Sequence, residues 1–111
     1  MSRLSVLLEN KHYDVLNPSR DDLYFEGVYA TDLLSTAIKH MKPYMALITM
    51  ISTNSTLNLA MMVDFNLIIL TKDAEVTESF LQKATLEEIT IVKTDYLTHE
   101  VIMDLVKRGF L

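Results

Sequence analysis

Cysteine is absent from all 111 residues, so the chain has no disulfide, no thiol nucleophile and no cysteine-held metal. That usage fits a reducing compartment, and the expected location is the cytoplasm. Glycine is almost as scarce. The only two, Gly27 and Gly109, stand 82 positions apart. A phosphate-cradling loop needs several glycines close together, so that backbone N–H groups approach the phosphate with no Cβ in the way. Neither GxxxxGK(S/T) nor GxGxxG occurs. Glycine supply therefore excludes a P-loop kinase or a dinucleotide dehydrogenase of the usual kind. No run approaches the roughly 18 apolar residues of a membrane span. The first residues carry one base and a very short apolar stretch, a poor signal peptide. Basic charge is also in short supply, with 15 acids against 10 bases and a net charge of -5. An acidic domain repels phosphate backbones, so neither nucleic acid nor a membrane is an expected partner.

Other catalytic and metal signatures are missing too. The three histidines, His12, His40 and His99, form no i, i+4 pair and no HExxH, so no metal and no cofactor are expected. There is no GxSxG nucleophile elbow. The acid pairs Asp21–Asp22 and Glu87–Glu88 are adjacent in sequence, and adjacent carboxylates do not converge as a catalytic dyad must. The basic group Lys39, His40 and Lys42 fits the last turn of a helix, where cations complement the dipole.

Three short apolar runs are present instead, at 45–51 (MALITMI), 66–72 (NLIILTK) and 89–94 (ITIVKT). Each is too short for a core helix and rich in β-branched residues. Buried strands read this way, and strands alternating with helices read as parallel βαβ units. Leu4, Leu7 and Leu8 suggest a short helix over 2–10, followed by a strand at 12–16 and a loop at 17–22 marked by Asn17-Pro18. A strand at 24–30 contains Gly27, a candidate bulge or close backbone approach. A helix over 31–41, capped by Thr31 or Asp32, would bury Leu33, Leu34, Ala37, Ile38 and Met41 before Pro43 stops it. The helix through residue 63 is apolar nearly all round, so a second helix or a second subunit is expected against its outer face. Leu57, Ala60, Met61 and Met62 are its candidate dimer residues. A helix over 77–87 turns Val76, Phe80, Leu81 and Ala84 to one side. The last, 97–108, would bury Leu97, Val101, Ile102, Leu105 and Val106 and stop at Gly109. The expected fold is a single domain over 1–111: a three-layer α/β/α arrangement with a five-stranded, mostly parallel sheet.

The order of these pieces, with Gly27 to Ser35 (GVYATDLLS), Leu47 to Thr49 (LIT), Asn58 to Ala60 (NLA) and Leu67 to Thr71 (LIILT), resembles the small stand-alone DRTGG-domain proteins. These are similar to the N-terminal domain of HPr kinase/phosphorylase. The resemblance covers residues 3 to 110 and implies the same three-layer fold, often a homodimer; it does not imply catalysis, which in HPr kinase belongs to a separate P-loop domain. The family's naming motif falls in the loop after the third strand. Here that loop reads MISTNS over 50–55, without the Asp, the Arg or either glycine. The loop's position carries over and its chemistry does not.

Loop 52–56 is the leading site candidate, because ligands of open α/β sheets bind outside the carboxyl ends of the strands. Ser52, Thr53, Asn54 and Ser55 could donate to a phosphate or carboxylate, or simply cap a helix and meet solvent. Thr31 and Asp32, Thr71 and Lys72, and Thr94 and Asp95 should share that edge if the strands are parallel. The sequence thus points to a non-catalytic, dimeric regulatory module that binds a small anion or nucleotide beside an unidentified protein partner. A pure scaffold without a ligand is the alternative. An enzyme using Lys72, Asp32 or Asp95 has only the generic rim in its favour.

Overall fold

The computed structural model describes residues 2–18 and 22–111. Ser19, Arg20 and Asp21, part of the expected 17–22 loop and of one acid pair, lie outside the described residues. The main sheet has five strands in the order β2 (Tyr13–Val15), β7 (Thr90–Thr94), β6 (Leu67–Leu70), β5 (Ala46–Thr49) and β4 (Val28–Ala30). β4, β5, β6 and β7 are mutually parallel, and β2 pairs antiparallel with β7. The strand expected at 24–30 divides at Gly27. β3 (Tyr24–Phe25) pairs antiparallel with β1 (Ser2–Arg3) in a separate two-stranded ribbon, and only β4 joins the main sheet. Gly27 has φ +84, and a Cβ there would meet only the Met45 side chain, at 3.8 Å. The residue therefore serves a left-handed turn and not a close approach.

Every residue of β5 and β6 is buried, as a sheet covered on both faces requires. Alternate side chains divide into two cores. Leu47, Ile68, Leu70 and Ile91 pack under α2 (Leu34–His40), α3 (Asn54–Val63) and α4 (Glu78–Leu86). Ala46, Ile48, Leu67, Ile69 and Val92 pack under α1 (Leu4–Leu7) and α5 (Thr98–Lys107). The result is the three-layer α/β/α arrangement. Burying one such side chain contributes about 1.5–3 kcal/mol. No helix among the described residues is long and apolar enough to cross a membrane.

Several expectations are corrected. The helix expected over 2–10 covers only Leu4–Leu7, because Ser2–Arg3 is recruited into the ribbon. α2 begins at Leu34 with no side-chain cap, since the Thr31 hydroxyl and the Asp32 carboxylate bond elsewhere. Leu33 and Ile38 are exposed, and so are Leu97 and Val106 of the final helix. On α3, Thr56, Leu57, Leu59 and Ala60 face the core, while Asn54, Ser55, Asn58, Met61 and Met62 form an uncharged outer stripe. Leu57 and Ala60 are 0% and 1% exposed within one chain, so they cannot meet a second subunit. Met61 and Met62, at 40% and 68%, remain open to one.

The helix ends show how the chain turns back to the sheet. α5 closes with Gly109 at φ +84, Gly109 N–H bonded to Val106 C=O and Phe110 N–H to Leu105 C=O. α4 closes with the same bond pattern, but its left-handed residue is Glu88, at φ 58. Asn17 ends β2 by offering its side-chain amide as a strand would. Nδ2 donates to Ile89 C=O at 2.8 Å, and Oδ1 accepts from Ile91 N–H at 2.7 Å.

Candidate functional site

The carboxyl ends of the parallel strands form one rim. The loops after β4, β5 and β6 all lead to helices on one face, and the loop after β7 leads to α5 on the other. Neighbouring loops therefore diverge only between β6 and β7. Ligand crevices of open α/β sheets form at such a switch point.

At the β4–β5 end, the rim's polar groups hold the rim together. Asp32 Oδ1 accepts from Thr49 Oγ1 at 2.9 Å and from Met50 N–H at 2.8 Å, tying the loop after β4 to the end of β5. Thr31 Oγ1 accepts from Leu33 N–H at 3.0 Å. Ser52 Oγ donates to Glu75 C=O, and Thr56 Oγ1 donates to Ile51 C=O at 2.7 Å. Thr53 precedes α3 without a side-chain cap, and Thr53, Asn54 and Ser55 are exposed. Thr31, Asp32 and Ser52 thus act as braces, and the exposed donors of the 52–55 loop are the three residues after Ser52.

The β6–β7 end is built differently. Lys72 N–H donates to Tyr96 C=O at 2.9 Å, extending the pairing past the strands. Lys93 Nζ donates to the carbonyls of Lys72 (3.2 Å) and Thr94 (3.0 Å). Thr71 and Thr94 are buried beneath, and Thr94 Oγ1 accepts from Tyr96 N–H at 3.1 Å. Lys72 and Asp95 are exposed above. The Lys72 ammonium has no hydrogen-bond partner among the described residues.

His12 joins this corner, although in sequence it stands 83 residues from Asp95. Because β2 runs antiparallel to β7, Tyr13 stands opposite Thr94, and the residue before Tyr13 arrives at the carboxyl end of β7. His12 Nδ1 lies 2.8 Å from Asp95 Oδ1, and its ring stacks on Tyr96 with centroids 4.5 Å apart. The His12 hydrogen bond holds the Asp95 carboxyl below its ordinary range, with a smaller contribution from the charge of Lys72. An ionised carboxylate only accepts, so Nδ1 carries the proton and Nε2 is the nitrogen left for another partner. Strand 12–16 was legible in sequence, but its direction was not, and direction alone brings His12 here.

No family model and no curated protein matches the chain.

A second polar cluster lies below the rim, between β2 and α5. Asp104 accepts from Tyr13 Oη at 2.8 Å, from Asn10 Nδ2 at 3.2 Å and from the Arg108 guanidinium, the shortest of whose bonds is 2.8 Å. Arg108 also donates to the carbonyls of Val6 and Leu7. Burial pushes the Asp104 carboxyl up, but the hydrogen bonds from Arg108, Tyr13 and Asn10 outweigh it and leave the group below its usual range. Burial, then the bond to Asp104, pushes the Tyr13 hydroxyl well above the ordinary tyrosine value. Every donor in this cluster has a partner inside the protein, so it fastens the two ends of the fold and offers little to a ligand. Among the described residues no group of three or more His, Asp or Glu side chains is arranged to hold a metal. The rim's chemistry at β6–β7 is that of cationic and N–H donors.

Proposed function

We propose that this chain is a non-catalytic regulatory module that binds a small anionic ligand at the carboxyl rim and works beside another protein. The observation that carries the reading is the β6–β7 corner. There, among the described residues, the diverging loops of the rim coincide with a Lys72 ammonium that has no hydrogen-bond partner and a histidine held in place by Asp95. Both members of that ion pair are more than half exposed, so its contribution to stability is small. Its geometry suits ligand contact better than folding. The reading keeps the chain among DRTGG-like modules by element order, while its loop 50–55 assigns the ligand to different residues. Native mass spectrometry of the protein as purified tests it. A discrete retained mass supports the module. Bare polypeptide mass, with no thermal shift in a millimolar screen of nucleotides and metabolites, refutes it.

The uncharged outer stripe of α3 favours a second reading, self-association without a ligand. Two copies of a chain carrying -5 repel each other, and an uncharged face with Met61 and Met62 exposed is where they approach at least electrostatic cost. Sedimentation equilibrium decides this. A dimer that Met62→Ser weakens supports it, and a monomer at 100 µM overturns it.

A further inference from the structure

We propose that the ligand class of the β6–β7 corner is a small oxyanion, a phosphate or a carboxylate, held between His12 Nε2 and the Lys72 ammonium. This rests on the ligand-binding reading above and names the site and its chemistry. Four features carry it. First, strand carboxyl ends present carbonyl oxygens, which repel anions. Here the carbonyls of Lys72 and Thr94 accept from Lys93, so a positive charge lies among the strand ends. Second, Lys72 offers an ammonium with no hydrogen-bond partner among the described residues, two residues past the buried strand β6, with its backbone held by the bond to Tyr96. Third, His12 is oriented twice over, by Asp95 through Nδ1 and by the stack on Tyr96, so Nε2 is presented rather than swinging freely. A preoriented donor gives up little rotamer entropy on binding.

The fourth feature is local charge. The chain has 15 acids to 10 bases, but the charged side chains that contacts tie to this corner are Lys72 and Lys93 against Asp95 and Glu100, two of each sign. Both acids are already engaged, Asp95 with His12 and Glu100 with the Leu97 N–H. His12 holds the ligand in its imidazolium form, Nδ1–H donating to Asp95 and Nε2–H to the anion, so an oxyanion with two or more acceptor oxygens bridges that N–H and the Lys72 ammonium with charge-assisted hydrogen bonds. This histidine immediately precedes the antiparallel edge strand, so a βαβ rim alone does not supply it.

The test is an NMR titration of the full chain at pH 6.5 with sodium phosphate and, separately, sodium malonate, ionic strength being held with chloride. The expected result is saturable movement of the His12 ring Cε1–H together with the amides of Lys72, Asp73 and Asp95, while the rings of His40 and His99 stay still. Lys72→Ala and His12→Gln should each weaken the response by about fivefold or more. The two arms distinguish a phosphate site from a carboxylate site, and saturation in either supports the proposal. Equal, unsaturated drift of all three histidines, or no movement with either anion, overturns it. Saturable shifts confined to 53–56 overturn this site but leave the ligand-module reading standing. That reading falls only on the mass-spectrometric and thermal results.

Discussion

Replacing Tyr13 by Phe removes one hydroxyl and leaves the packing alone. The ring is 2% exposed, meets Tyr96 edge-on with centroids 5.7 Å apart and lies beneath Arg108. What is lost is the 2.8 Å bond to Asp104 Oδ2. Hydrogen bonds to charged groups contribute about 1.5–3 kcal/mol, and Asp104 keeps Arg108 and Asn10, so a loss near the low end, about 1.5 kcal/mol, is expected at pH 7. The pH dependence makes the argument sharper. The folded Tyr13 hydroxyl titrates above its unfolded value, so its stabilising effect is complete below about pH 10 and is lost as pH rises, because the unfolded chain ionises first. By pH 11 that loss is about 1.4 kcal/mol in the parent protein and absent from Tyr13→Phe. The two proteins should therefore differ at pH 7 and nearly coincide at pH 11 in urea unfolding followed by circular dichroism. A gap of unchanged size at pH 11 would refute a buried, neutral Tyr13. At the acid end the sign reverses. Asp104 titrates below its unfolded value, so its contribution is present above about pH 4 and disappears as pH falls through the lower folded value. Asp104→Asn should flatten that acid arm.

Leu57→Ala empties a fully buried position on α3 and should cost about 3 kcal/mol in chemical denaturation. Met62→Ser on the same helix should stay within about 0.5 kcal/mol in dilute solution, and equal costs would contradict the inner and outer faces assigned to α3. Glu88→Gly relieves a left-handed side chain at the end of α4 and should raise stability by about 0.5–1 kcal/mol, read as a higher urea midpoint at unchanged slope. A lower midpoint would mean that the Glu88 side chain makes a contact worth more than the strain. Gly27→Ala meets no tight neighbour, so its cost should be the backbone term alone, about 1–2 kcal/mol by thermal unfolding. A cost above about 4 kcal/mol would point to steric crowding instead.

The buried parallel strands were legible because nothing else explains runs such as 66–72, and their helices because apolar spacing and the Gly109 stop are local signals. What escaped were features that depend on pairing. Ser2–Arg3 reads as the start of a helix until Tyr24–Phe25 lies beside it, and 24–30 reads as one strand until its halves join different sheets. On α3 composition misled: ten residues without a charge look buried all round, yet Asn54, Ser55 and Asn58 mark the wet side and the methionines accompany them. At the rim, the sequence placed Lys72 and Asp95 on one edge. It could not show that Asp32 and Ser52 are consumed as braces, or that His12 completes the corner, because those facts follow from partners 17 to 83 residues away.

The antiparallel edge strand also dictates an order of assembly. β4 through β7 are neighbours in both sequence and space, so each new βα unit finds the preceding one already in place as the ribosome releases it. β2 has no such neighbour: Val15 stands opposite Val92, and the carbonyls of Val6 and Leu7 wait for Arg108. The stretch made early can pair only once β7 has been made, through a loop closure spanning most of the domain. His12 travels with that stretch. The β6–β7 corner is thus complete only when the amino-terminal segment lies against β7, and whatever detaches that edge takes His12 from the site.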